Sequence, residues 1–294
     1  MIAKLVQELY AERPKQALYH YTSLDGVRGI VDTGSLRATE IRYFSDAAEM
    51  KHAVDRLIPE IWFREGFGRS NPKLLSQLRE WLSHRLIAGH MLYVGCFTSN
   101  GNLLSQWRSY CPKAKGVSLG FDQTKLSAAA TRQHWRVGKC IYDPEEQEVI
   151  VTKILDEIER LAEKRGENTD PSKRHPSNAF HDIFEEIETD LLHMAALLKH
   201  PAFHEEQEWR LVSPVVTNYV EASIEYREGS SMLVPFMNFR LPEASDRRID
   251  MEHVILGPTP NPNISMESLS NYLSKNGASP RQGLAYCQIP YRPW

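Results

Sequence analysis

Cysteine is scarce in this chain and poorly spaced for chemistry. Cys96, Cys111, Cys140 and Cys287 lie far apart, with no CxxC pair among them. That excludes a zinc-finger type of site and a disulfide framework, and leaves four reduced thiols with no metal expected. Long apolar runs are also missing, since no stretch approaches the roughly 18 residues of a spanning helix. The N-terminal MIAKLVQELYAERPKQ reads as an amphipathic helix and lacks the apolar core and cleavage site of a secretory signal. Together these absences point to a cytoplasmic protein with no membrane partner. Positive charge is not in surplus: the net charge is -3 and the pI about 6.4. Composition therefore gives no electrostatic case for nucleic-acid binding. The chain has no G-x-x-x-x-G-K-[ST], no G-x-G-x-x-G between strand and helix, no G-x-S-x-G and no H-E-x-x-H. The P-loop, dinucleotide-fold, serine-hydrolase and zinc-protease readings fall with them.

What is present is ordinary globular material, 41% hydrophobic and 25% charged over 294 residues. The pattern predicts a helix over 2–12, strands over 17–22 and 36–43, and helices over 47–63 and 73–88. A nearly unbroken apolar run at Met91–Thr98 predicts a buried strand, followed by a short helix over 103–110. Strands over 116–121 and 136–142 flank a helix over 122–131. Strands are expected again at 208–216, 220–226, 232–239, 249–256 and 286–289, with a helix at 265–275. Between these blocks, two charged helices at about 144–165 and 179–199 flank a polar linker and read as a helical insertion. Helices and strands intermix without strict alternation. The expected fold is α+β, with a mixed or mostly antiparallel sheet core, flanking helices and one domain over 1–294.

Four polar groupings are candidates for chemistry. In Tyr19-His20-Tyr21-Thr22, alternation puts His20 and Thr22 on one face, where ring nitrogen and hydroxyl suit a sugar; a satisfied, half-buried histidine is the plain alternative. Tyr43-Phe44-Ser45-Asp46 enters a helix, whose free N–H groups favour anions, and simple N-capping explains the same residues. Ser105, Trp107, Arg108 and Tyr110 cluster where strand meets helix and suit a flat ring carrying phosphate; the alternative is a buried indole and a salt-bridged arginine. Glu206 and Glu208 share a face if the strand already starts there, and paired carboxylates raise one another's pKa. The alternative for them is a solvated acidic turn with Glu208 on Arg210.

Leu18-Tyr-His-Tyr-Thr22, Arg42-Tyr-Phe-Ser-Asp46, Cys96-Phe-Thr-Ser99, Leu103-Leu-Ser-Gln-Trp-Arg-Ser-Tyr110, Gly116-Val-Ser-Leu-Gly-Phe-Asp122, Glu206-Gln-Glu-Trp-Arg-Leu211 and Val254-Ile-Leu-Gly-Pro258 follow one another in a familiar order. In that order they resemble the bacterial domain-of-unknown-function family 2971, over about residues 17–260. More distantly, the motif order resembles the ADP-ribosyltransferase superfamily. That second resemblance implies NAD as co-substrate, with His20 holding a ribose and Tyr43 or Ser45 in the second block. It makes Glu208 the catalytic carboxylate and Glu206 the residue that orients the nucleophile. In a bacterial setting such an activity belongs to toxin or phage-defence biology, with a protein or nucleic-acid acceptor.

Three functions are thus expected in order. The first is an ADP-ribosyltransferase-like or NAD-cleaving enzyme, which needs His20 and Glu208 in one cleft with room for a dinucleotide. The second is a non-catalytic nucleotide- or protein-binding module, favoured if Glu208 is buried against Arg210 and the cleft is shallow. The third is a metal-dependent nuclease or hydrolase built on Asp46, Glu206 and Glu208.

Overall fold

Local chemistry starts and stops the first helix that follows a strand. The Ser23 hydroxyl accepts from the Gly26 N–H and so launches α2 (Leu24–Thr33) directly from β1 (Leu18–Ser23). Gly34 ends α2 in the left-handed region at φ 67°, where glycine carries no Cβ penalty, and its N–H returns to the Ile30 carbonyl. The computed structural model describes residues 2–44, 49–67, 71–86, 88–111, 116–166 and 180–289. The remaining elements follow in chain order, after α1 (Ile2–Leu9): β2 (Ser35–Glu40), α3 (Glu49–Phe67), α4 (Pro72–Trp81), β3 (Tyr93–Thr98) and α5 (Leu104–Tyr110). Then come β4 (Gly116–Phe121), α6 (Gln123–Arg132), β5 (Arg136–Lys139), α7 (Pro144–Gly166) and α8 (His181–Ala195). The chain closes with β6 (Glu208–Val212), β7 (Glu225–Glu228), β8 (Leu233–Arg240), β9 (His253–Leu256), α9 (Pro262–Lys275) and β10 (Leu284–Tyr286).

All these strands join one mixed sheet, ordered β10-β9-β4-β1-β3-β2-β8-β7, with β6 on the other edge of β3 and β5 beyond it. The β9–β10 pair is parallel and the other pairs are antiparallel. The fold is α+β, as the sequence pattern implies. Several expected strands are shorter or displaced: β2 ends at Glu40 and gives way to a 3-10 turn, β6 ends at Val212, β7 begins only at Glu225 and β9 only at His253, and β10 lies at 284–286 instead of 286–289.

Alternation along β3 and β6 divides the core in two. Val94 and Val212 face a cluster built with α1, α3, α4, α7 and α8, whereas Tyr93, Phe97, Trp209 and Leu211 face one built with α2, α6 and α9. Helices therefore cover both faces of the sheet. The segment expected as an insertion is part of this core, since Ile154, Leu155, Phe184 and Leu191 are fully buried in the first cluster. Its apolar residues cover sheet residues that would otherwise meet water, each burial worth about 1.5–3 kcal/mol for a Leu, Ile or Phe.

Candidate functional site

One edge of β3 is shared by two strands that do not meet. β1 touches it only at Tyr19↔Thr98, and β2 only at Thr39↔Val94 and Glu40↔Tyr93. The odd-numbered residues of β3 bond towards β6, as Tyr93 O does with Ser213 N–H. Val94, Cys96 and Thr98 thus turn their peptide groups to the shared edge, and Cys96 falls in the gap. His20 fills it: its Nδ1 lies 2.9 Å from the Cys96 carbonyl. A carbonyl accepts only, so Nδ1 carries the proton and Nε2 presents a lone pair. Burial lowers the imidazole pKa, the Cys96 bond opposing it in part, and the ring stays neutral.

His20 borders two pockets. The smaller, of about 40 Å³, is lined by Tyr19, His20, Cys96, Tyr110, Glu206 and Glu208 among others. The larger, of about 340 Å³, runs between β1 and β2 and is lined by His20, Thr22, Asp25, Arg37, Thr39 and Arg227 among others. Gly26 lets α2 close on this cleft, because a Cβ there would lie 1.9 Å from Thr22 Oγ1.

The carboxylate pair is arranged differently from expectation. Glu206 ends a 3-10 turn, Pro201–Glu206, and the strand starts only at Glu208. Gln207 between them is left-handed at φ 46°. Both carboxylates converge on the buried Lys199, whose Nζ stands 2.5 Å from each. Arg210, fully buried, donates to Glu208 through Nε at 3.1 Å and Nη2 at 3.2 Å, and through Nη1 to the Ala196 carbonyl at 2.7 Å. The Cys140 thiol lies 3.7 Å from the same carboxylate. Burial alone would raise the Glu208 pKa, but Arg210 and Lys199, with hydrogen bonds from Arg210 and Cys96, outweigh it and hold the group at about 2. The mutual elevation expected of a carboxylate pair is absent at Glu208 because each carboxylate faces a cation first.

Tyr19, Thr98 and Glu208 form one row across β1, β3 and β6, so they leave the sheet from the same face. By alternation His20 leaves from the other face, and it reaches the Glu208 pocket only through the gap between strands.

The other expected site residues scatter. Thr22 lines the larger cleft and Tyr110 the smaller pocket. The Tyr110 hydroxyl stays protonated, its pKa raised by burial and by Cys96, Glu208 and Glu206 nearby. Trp107 lines neither pocket: it is 1% exposed, packed edge-on against Tyr21, with its indole N–H donated to Asn102. The buried-indole alternative describes it. Tyr43 is exposed and lines neither pocket, and Ser105 and Arg108 are absent from both linings. Ser45 and Asp46 lie outside the described residues. Among the described residues, no group of three or more His, Cys, Asp or Glu side chains could hold a metal.

Lys199, Gln106, Arg37 and Arg227 were not legible as site residues. Nothing local distinguishes a lysine after α8, or arginines on β2 and β7, from surface charge; only the tertiary pairing brings them in.

No curated protein and no solved structure matches this chain. The segment from Gln106 to Leu211, which spans the Trp107, Gly116 and Glu208 blocks, matches the profile of a family described as a protein of unknown function (DUF2971), and over that segment the chain is similar to it.

Proposed function

We propose that the chain is a nucleotide-binding module whose ligand enters the cleft between β1 and β2 and is held at His20. The observation that carries this reading is the fixed tautomer of His20. A neutral imidazole locked by the Cys96 carbonyl offers one lone pair, which suits a ligand hydroxyl such as that of a ribose. The larger cleft supports the reading by size, since small-molecule sites run from about 300 to 1,000 Å³ and it measures about 340 Å³. Thr22 adds a hydroxyl beside His20, while Arg37 and Arg227 add positive charge.

Glu208 argues for binding over cleavage. A carboxylate that stabilises a developing cation must have charge to spare, and Glu208 accepts from two cations at once. The pocket beside it, about 40 Å³, is too small for a dinucleotide.

The test is titration of the purified protein with NAD, followed by calorimetry and by assay of released nicotinamide. Saturable binding without nicotinamide supports the module. Because the His20 pKa is lowered, the ring stays neutral somewhat below the usual imidazole value of 6.5, and binding should persist there until Nε2 is protonated. His20→Ala should weaken binding by the worth of one neutral hydrogen bond, about 0.5–1.5 kcal/mol. No binding of NAD or its nucleotide fragments at any pH sinks the proposal.

A second reading, an ADP-ribosyltransferase-like or NAD-cleaving enzyme, is favoured by one observation. His20, Glu206 and Glu208 line the same small pocket although they are far apart in sequence. Nicotinamide release that vanishes in a folded Glu208→Gln variant would establish this reading instead.

A further inference from the structure

A second cavity system lies away from His20, where the segment after α1 passes over α6 and the start of β5. One cavity of about 240 Å³ is lined by Gln7, Tyr10, Arg13, Ser127, Thr131 and Arg136 among others. A neighbour of about 360 Å³ shares Arg13, Ser127 and Thr131 with it and adds Gln123 and Thr124. No residue of either lines the two pockets at His20.

The charge of this groove is one-sided. Its ionic side chains are Arg13 and Arg136, and no carboxylate lines it. Asp190 feels the field of Arg136 but stands outside the lining. Arg136 is braced, its guanidinium 5.6 Å above the ring of Tyr10, and Tyr10 is itself fixed by donating to the His193 carbonyl at 2.8 Å. The same two cavities are lined by the hydroxyl residues Ser127, Thr131 and Thr124 and by Gln7 and Gln123.

We propose that this groove is a second ligand site and that it takes a phosphate monoester. Charge selects the class. Two arginines without an acid match a group carrying close to two negative charges, which a phosphate monoester supplies near neutral pH and a single carboxylate does not. The guanidinium fork binds such oxygens two at a time, and the hydroxyls and amides complete their coordination. Trp135, which also lines the cavity, offers an aromatic surface to the ester group.

The probes are inorganic phosphate, phenyl phosphate and acetate, titrated calorimetrically into the intact protein in phosphate-free buffer. Both phosphates should bind saturably, phenyl phosphate more tightly, and acetate at least about tenfold more weakly. Arg13→Gln and Arg136→Gln should each weaken phosphate binding about tenfold, and the double variant should lose it. Arg136→Lys keeps charge but loses the fork, so it should fall between. Arg13 is exposed, so Arg13→Gln keeps the fold, and a melting curve on each variant confirms it. Absence of saturable phosphate binding by the wild type overturns the proposal. So does unchanged binding in the double variant, or binding that is lost only in His20→Ala, which would assign the phosphate to the other cleft.

Discussion

A carboxylate enclosed by cations is a structural group before it is a chemical one. Glu208, Glu206, Lys199 and Arg210 carry balanced charge, with Glu208, Lys199 and Arg210 buried and Glu206 partly so. Removing one member leaves the others uncompensated, which typically costs about 3–5 kcal/mol. Glu208→Gln should therefore lower the unfolding free energy measured by urea titration by an amount in that range, seen as a lower midpoint. An unchanged midpoint would return Glu208 to the list of catalytic candidates. The pH dependence has a definite sign. The folded pKa of about 2 lies below the ordinary value of 4.5, so the group's contribution is complete above about pH 4.5 and is lost as pH falls through about 2. The wild type should lose stability across that window more steeply than Glu208→Gln. Trp107 makes the complementary case. With its ring buried and its N–H satisfied, Trp107→Ala should cost about 3–5 kcal/mol and leave nucleotide affinity untouched. Equilibrium unfolding and a binding titration on the same sample decide it. From sequence, a tryptophan in a short helix after a turn reads equally as wall or core, because burial is set by what packs against it.

At the scale of elements, the sequence was most legible where local chemistry decides. The Gly34 stop and the apolar β3 run take the places their residue types imply, whereas the cap falls on Ser23, one residue beyond the Thr22 that the Thr22-Ser-Leu-Asp25 pattern suggests. The role of α7 and α8 was less legible. Their charged, amphipathic pattern says only that one face is buried, not against what. In the structure that face closes over Val94 and Val212, and the chain leaving α8 delivers Lys199 to the carboxylates. A protein lacking residues 144–195 should therefore fail to fold. Loss of the near-ultraviolet circular dichroism signal would show it, whereas a soluble, cooperatively melting deletion would mean that the helices are peripheral. The carboxylate pair shows the limit of period-two reasoning. Gln207 in the left-handed region takes Glu206 off the strand, and no residue in Glu-Gln-Glu announces that turn.

For the whole molecule, the sheet passes between two apolar clusters that alternate residues of β3 and β6 connect. Neither cluster can lose its packing without exposing the strands that carry the other. Thermal unfolding should accordingly appear as one transition, with helix content and tryptophan fluorescence changing together. Two separated transitions would show independent units. The class of fold was readable because mixed periodicity constrains it. The parting of β1 from β2 was not, because strand order depends on pairings between residues distant in sequence.

That parting has a mechanical consequence. The wing β10-β9-β4-β1 is hydrogen-bonded to β3 through one residue pair, and the wing β2-β8-β7 through two. In the sheet's own bonding, bending stiffness between the wings is concentrated in those few pairs, as in a flexure joint. An object lodged beside His20 acts near the pivot, with short leverage, while β7 and β10 sit at the far ends of the arms. A small change of angle at the gap is therefore read out as a larger displacement at the outer strands.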